Sequence, residues 1–168
     1  MEVELGSGDG SFLAAYAAEY PQRNLVGVER LLGRLRKVAR KGERNGLQNL
    51  RLIRIEASYF LQYLIPARST DAIHVYFPDP WPKRKQKRRR LVNTLFTELA
   101  AKVLRPGGTV YLRTDSQDYF EQMNEVFGQS SEFNSTVTPT ELLRIETDFE
   151  REFHTRGRRT LHGAFQRD

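Results

Sequence analysis

Short apolar runs recur along this chain, each followed by a stretch whose apolar positions return at helical spacing. Val3–Leu5 reads as a strand stub, and a helix follows from Ser11 to Glu19. Leu25–Val28 is a second strand, followed by a basic amphipathic helix over about 31–45. Leu50–Ile55 is a third strand. Asp71–Phe77 is a fourth, apolar almost throughout, as a strand covered on both faces should be. A helix over 88–104 stops at Pro106-Gly107-Gly108, a normal termination signal. Thr109–Arg113 gives a fifth strand and Gln117–Phe127 a helix. A short strand within 133–137, a helix over 147–154 and a final strand over 160–166 complete the pattern. Strands alternating with helices imply βαβ units and a parallel sheet. The expectation is one domain over residues 1–168, without internal repeat or linker.

Glycines lie where the first strand meets the first helix, in Glu4-Leu5-Gly6-Ser7-Gly8-Asp9-Gly10. Such a turn lets the backbone approach a ligand while helix N–H groups face outward. The spacing is G-x-G-x-G, so the full dinucleotide fingerprint is not met, and a plain βα turn is the alternative. Glu29 ends the second strand about twenty residues on, where a carboxylate can accept from both hydroxyls of a ribose. Glycine turn and Glu29 together favour an adenosine-containing cofactor. Glu56-Ala57 closes the third strand at the same sheet edge. Its carboxylate is placed either to accept from an adenine amino group or simply to meet solvent.

The fourth strand runs into Tyr76-Phe-Pro-Asp-Pro-Trp-Pro-Lys83. Three prolines hold φ near −65° and stiffen a turn that carries Asp79 and Trp81, the one Trp in the protein. Seven of the eight residues Lys83–Arg90 are basic. Composition matters here because the net charge of +6 is local: without that run, 20 basic residues face 21 acidic ones. A dense patch on a neutral background fits phosphate contacts, and Lys85, Lys87, Arg88, Arg89 and Arg90 are the candidates. A carboxylate and an indole beside such charge point to chemistry on a nucleic-acid base.

The remaining candidates have competing readings. Asp115 ends the fifth strand, where ligands bind in open α/β folds, and is equally suited to cap the next helix. Thr147-Asp148-Phe149-Glu150 matches a capping box. Arg36, Arg40 and Arg44 share a helix face at i, i+4 spacing, usually a solvated arrangement, and receive no role. His74, His154 and His162 show no metal-ligand spacing, and His74 reads as a packed or hydrogen-bonded core residue. The absence of cysteine excludes disulfides, thiolate catalysis and Cys-based zinc sites. No apolar run approaches a membrane span and no signal peptide is present, so a cytoplasmic protein is expected.

From Glu4 to the last strand these residues resemble the tRNA (guanine-N7-)-methyltransferase family. The most specific element is Phe77-Pro-Asp-Pro-Trp-Pro-Lys83 with its basic tail, supported by the glycine motif, Glu29, Arg113-Thr-Asp115 and Thr147–Glu150. The resemblance implies a Rossmann-like class I methyltransferase fold: a mostly parallel seven-stranded sheet, its last strand antiparallel, with helices on both faces. It implies S-adenosyl-L-methionine as cofactor, with Glu4, Gly6, Gly8, Gly10, Glu29, Glu56, Ala57 and Asp79 as its positions. Lys83, Asp115, Thr147, Asp148, Phe149 and Glu150 would contact substrate, and Asp79 would also be catalytic. The partner would be tRNA, with no membrane and a monomeric or homodimeric protein. Family members commonly show Asp or Asn where Glu56 stands. The family's N-terminal basic segment has no counterpart before Met1, so a domain lacking that extension is expected.

Guanine N7 carries an in-plane lone pair and no proton, so transfer to it needs alignment and charge stabilisation rather than a strong base. Asp79 fits that electrostatic task. Asp115 or Glu150 would accept from guanine N1–H and the 2-amino group, donors that adenine lacks. Trp81 is read as packing the loop. A guanine of the tRNA variable loop would have to be loosened or flipped to be reached. The alternatives are another RNA base methyltransferase, a non-catalytic RNA-binding module retaining the fold, and an NAD-dependent oxidoreductase, which the glycine spacing disfavours.

Overall fold

The computed structural model describes residues 1–168. Seven strands form one sheet: β1 (Glu2–Leu5), β2 (Leu25–Val28), β3 (Leu50–Ile53), β4 (Thr70–Tyr76), β5 (Leu104–Thr114), β6 (Phe133–Ser135) and β7 (Leu161–Arg167). Their order is β3-β2-β1-β4-β5-β7-β6, and only β7 runs antiparallel to its neighbours. The helices are α1 (Ser11–Glu19), α2 (Leu32–Arg44), α3 (Ala57–Tyr59), α4 (Thr94–Val103), α5 (Gln117–Gly128), α6 (Thr140–Arg144) and α7 (Asp148–Thr155). The chain reverses direction across the sheet between β1 and β4, and at such a switch point the crevice outside the strand C-termini binds ligands.

Each face of the sheet is covered by its own apolar layer. Phe60 and Leu61 beyond α3, Phe96 and Val103 of α4, and Met123 and Phe127 of α5 seal one face over Val3, Ile73, Val75 and Val110. Phe12, Leu13 and Tyr16 of α1, Val38 of α2, and Leu142 of α6 seal the other. Full coverage explains why β2 reads as an unbroken apolar run and β4 as a mostly apolar one. No helix is long and apolar enough to cross a membrane. His74 is buried between the Glu2 carboxylate and the Tyr76 hydroxyl, each at 2.9 Å, as expected of a hydrogen-bonded core histidine. Burial lowers its pKa.

Three departures from the sequence pattern have physical causes. The helix expected over 88–104 begins only at Thr94, because Asn93 caps it by accepting from the Phe96 amide at 3.1 Å. Arg84–Arg89 instead makes a separate 3₁₀ turn. Pro106-Gly107-Gly108 lies inside β5, where the register against β4 shifts between Thr70 and Ala72. Helices α3, which continues as a π-helix through Phe60–Leu64, and α6 were not expected. The cap of α3 is Glu56, which lies outside the usual Ser, Thr, Asp and Asn set.

Candidate active site

The glycine turn is built from backbone that only glycine adopts easily. Gly6, Gly8 and Gly10 have φ of 75°, 56° and 76°. At Gly10 a Cβ would come within 2.6 Å of Val38, so close packing of α2 also requires glycine there. Glu29, buried at the end of β2, fastens the turn: its carboxylate accepts from the Gly8 amide at 3.1 Å and the Leu31 amide at 2.7 Å. Each oxygen keeps a free lone pair. Glu56 accepts from the Ser58 and Tyr59 amides at 3.0 and 2.8 Å, so it serves as a helix cap whatever else it contacts.

These elements border one cleft of about 280 Å³ at the C-terminal edge of the sheet. Gly6, Glu29, Glu56, Ala57 and Asp79 line it. Asp79 is exposed and makes no hydrogen bond or ion pair within the protein. Its turn is held in strained geometry, with φ of +50° at Phe77 and +41° at Trp81. Three further residues share the lining: Arg34, to which the sequence assigned no role, Trp81, expected only to pack the loop, and Arg89, expected as a phosphate contact. The Arg89 guanidinium lies 5.1 Å from the centre of the Trp81 ring. Arg34 stands in the first turn of α2, five residues beyond Glu29, a proximity that could have flagged it.

Glu4 does not line the cleft. It is buried at the end of β1, and its Oε2 has no hydrogen-bond partner. Burial pushes its pKa up to about 8; the nearby Arg113 charge opposes that rise, while Asp9 and Glu29 add to it. The free protein therefore holds a neutral carboxyl beneath the glycine turn at neutral pH.

Two expected contact residues are committed to the fold instead. The Glu150 carboxylate is 2% exposed, accepts from Arg113 at 2.7 Å and from the Thr147 amide at 2.8 Å. Thr147 Oγ1 in turn accepts from the Glu150 amide at 3.0 Å, completing the capping box. Arg113 also donates to the Ile145 and Leu142 carbonyls and lies over the Tyr76 ring at 4.1 Å. Both bonds to the Glu150 carboxylate fall on Oε2, so Oε1 accepts no hydrogen bond within the protein. Arg90 is removed from the phosphate surface: it is 2% exposed, donates to the Pro80 carbonyl at 2.7 Å and to Gln122 at 2.8 Å, and pairs with Asp118. That buried clamp ties the Asp79 turn to α5.

The other expected residues remain open to solvent. Asp115 is half-buried with Arg158 at 3.5 Å. Asp148 and Phe149 border a second hollow of about 220 Å³ together with Gly8, Asp9, Arg34 and Lys37. Phe149 is exposed, and its ring lies 6.1 Å from that of Phe77. Lys83, Lys85, Arg88 and Arg89 are exposed, whereas Lys87 is half-buried and paired with Asp118.

A family described as putative methyltransferase matches residues 1–162. A tRNA (guanine-N(7)-)-methyltransferase of Nitrosococcus oceani is 34% identical over 97% of this chain and 68% of its own length. The proteins of the same name from Thermotoga maritima and Methylococcus capsulatus are 33% and 36% identical, covering 95% and 98% of this chain. The chain spans 51% and 72% of those two relatives. Among solved structures, the 16S rRNA methyltransferase KamB superposes with a TM-score of 0.72 at 18% identity, over 99% of this chain and 87% of that one. TrmN from Thermus thermophilus also gives 0.72, at 17% identity over 99% and 43%. These structures share the fold, in agreement with the expected class I methyltransferase architecture.

Proposed function

The chain belongs to the tRNA (guanine-N7-)-methyltransferase family, and on that premise we propose that it methylates guanine N7 in the variable loop of tRNA, using S-adenosyl-L-methionine. One observation carries the proposal: Gly6, Glu29, Glu56 and Asp79, from four separate segments, converge on one cleft beside exposed cations.

The residues present fit the cofactor. Glu4 offers a buried carboxyl oxygen without a partner, suited to the ammonium of an amino-acid moiety. Glu29 retains lone pairs that would take ribose hydroxyls, and Glu56 and Ala57, in the same lining, would hold the adenine. Gly6, Gly8 and Gly10 let the backbone approach without a Cβ in the way. When bound, the cofactor supplies an electrophilic sulfonium methyl to the N7 lone pair, and no proton need be removed first.

Asp79 then stabilises the positive charge that develops on the purine. Its carboxylate is held by the proline turn and is not occupied by any protein donor, so little reorganisation is required as charge develops. Asp115, or the Oε1 of Glu150 that accepts nothing within the protein, accepts from guanine N1–H and the 2-amino group. Phe149 and Trp81 present flat faces on which a displaced base can rest, and Thr147, Asp148 and Glu150 hold Phe149 in position. Lys83, Lys85, Lys87, Arg88 and Arg89 contact tRNA phosphates. The test is incubation with unmodified tRNA and methyl-labelled cofactor, followed by mapping of the label. Label at guanine N7 is expected. Label on an exocyclic amine would identify a different base methyltransferase, and tRNA binding without label a non-catalytic module.

A further inference from the structure

Helix α2 carries a cationic surface that the site above hardly uses. At 100° per residue its outward positions Arg34, Arg36, Lys37, Arg40, Lys41 and Arg44 occupy one arc of roughly 160°, and Gly33 is the one uncharged residue among them. The one acid of the helix, Glu43, lies about 20° beyond the arc's edge. Only Lys41 forms ion pairs, with Asp9 at 3.4 Å and Asp148 at 3.9 Å; the other five cations are exposed and unpaired. Like charges at i, i+4 destabilise a helix, so the arrangement gives the fold nothing. A merely solvated face more often mixes both signs. Position adds the second argument. Arg34 lines the same cleft as Arg89, so α2 and the 3₁₀ turn Arg84–Arg89 both reach its mouth.

We propose that the α2 arc is a second phosphate-contacting surface, and that tRNA straddles the cleft between it and the Arg84–Arg89 turn. This rests on the tRNA reading above. Arg36, Arg40 and Arg44 run about 12 Å along the helix, a line suited to successive phosphates rather than to a compact acidic patch on a protein.

The test measures binding of an unmodified tRNA transcript to the full chain across a salt series. For Arg36→Gln/Arg40→Gln/Arg44→Gln the log–log salt slope should flatten by about 2, with roughly ten-fold or greater loss of affinity at moderate salt. Affinity for S-adenosylhomocysteine should stay at the parental value, and the melting temperature should not fall. Arg40→Gln alone, with a slope change of about 0.7–0.9, keeps the test readable if the triple variant melts early. Unchanged slope and affinity in both variants would overturn the proposal, as would a slope that responds only to Lys85→Gln/Arg88→Gln. A chain that binds tRNA with the expected slopes but transfers no methyl group would contradict the activity proposal and support this one.

Discussion

Asp79 and Glu150 each belong to a short motif that carries the family resemblance, yet their surroundings are opposite. Asp79 is exposed on a strained turn at the lip of the cleft, with no partner in the protein. Glu150 is buried, paired with Arg113, and locked into a reciprocal cap with Thr147. A buried carboxylate that pairs with a buried cation and caps a helix contributes to stability, and an exposed one without donors is available to a ligand. Substitutions at the two should therefore separate, one acting on folding and the other on transfer.

The largest expected effect is at Glu150. Glu150→Ala leaves Arg113 buried without its counter-ion and uncaps α7, which should cost about 3–5 kcal/mol. Denaturant unfolding would measure it, and a loss below about 1 kcal/mol would break the comparison. Arg90→Ala comes next, at about 2–3 kcal/mol, since it abandons the Pro80 carbonyl, Gln122 and Asp118 in a buried setting. Its salt slope for tRNA should match the parent's, whereas Lys85→Gln should flatten it.

The effect of Glu4 on stability depends on pH. Its folded pKa of about 8 lies above the unfolded value of 4.5, so the folded state holds a proton that the unfolded state loses between those values. Stability attributable to Glu4 therefore falls as pH rises from about 4.5 to 8 and then levels off. Glu4→Gln should be more stable than the parent at pH 8, with the difference vanishing towards pH 4.5. The same variant should bind S-adenosylhomocysteine at least ten-fold more weakly at pH 8, because the buried charge for the ammonium is lost. Parallel stability–pH profiles for parent and variant would contradict the assignment.

Much of this organisation was legible in the chain because local signals agree with the fold. Runs such as Asp71–Phe77 are apolar because both sheet faces are covered, and the glycine turn carries its positive φ angles in plain view. Glu29 and Asp79 could be placed at the cleft by lying at strand ends. What stayed hidden depends on long-range partners. Nothing near Glu150 in the sequence announces Arg113, 37 residues away, and nothing in a run of seven cations distinguishes Arg90, whose partners are 10 to 32 residues distant. The cap of α3 escaped because glutamate is an unusual capping residue. The α2 arc was visible as a stripe, but the absence of ion pairs from all its cations except Lys41, and its meeting with the cleft at Arg34, appear only in three dimensions.

The most direct test of Asp79 as the residue that stabilises charge on guanine is the single-turnover rate of methyl transfer by Asp79→Asn, with cofactor and unmodified tRNA both saturating. The rate should fall by about 10²–10³, with tRNA affinity and melting temperature close to the parent's. A parental rate at saturation would contradict the account.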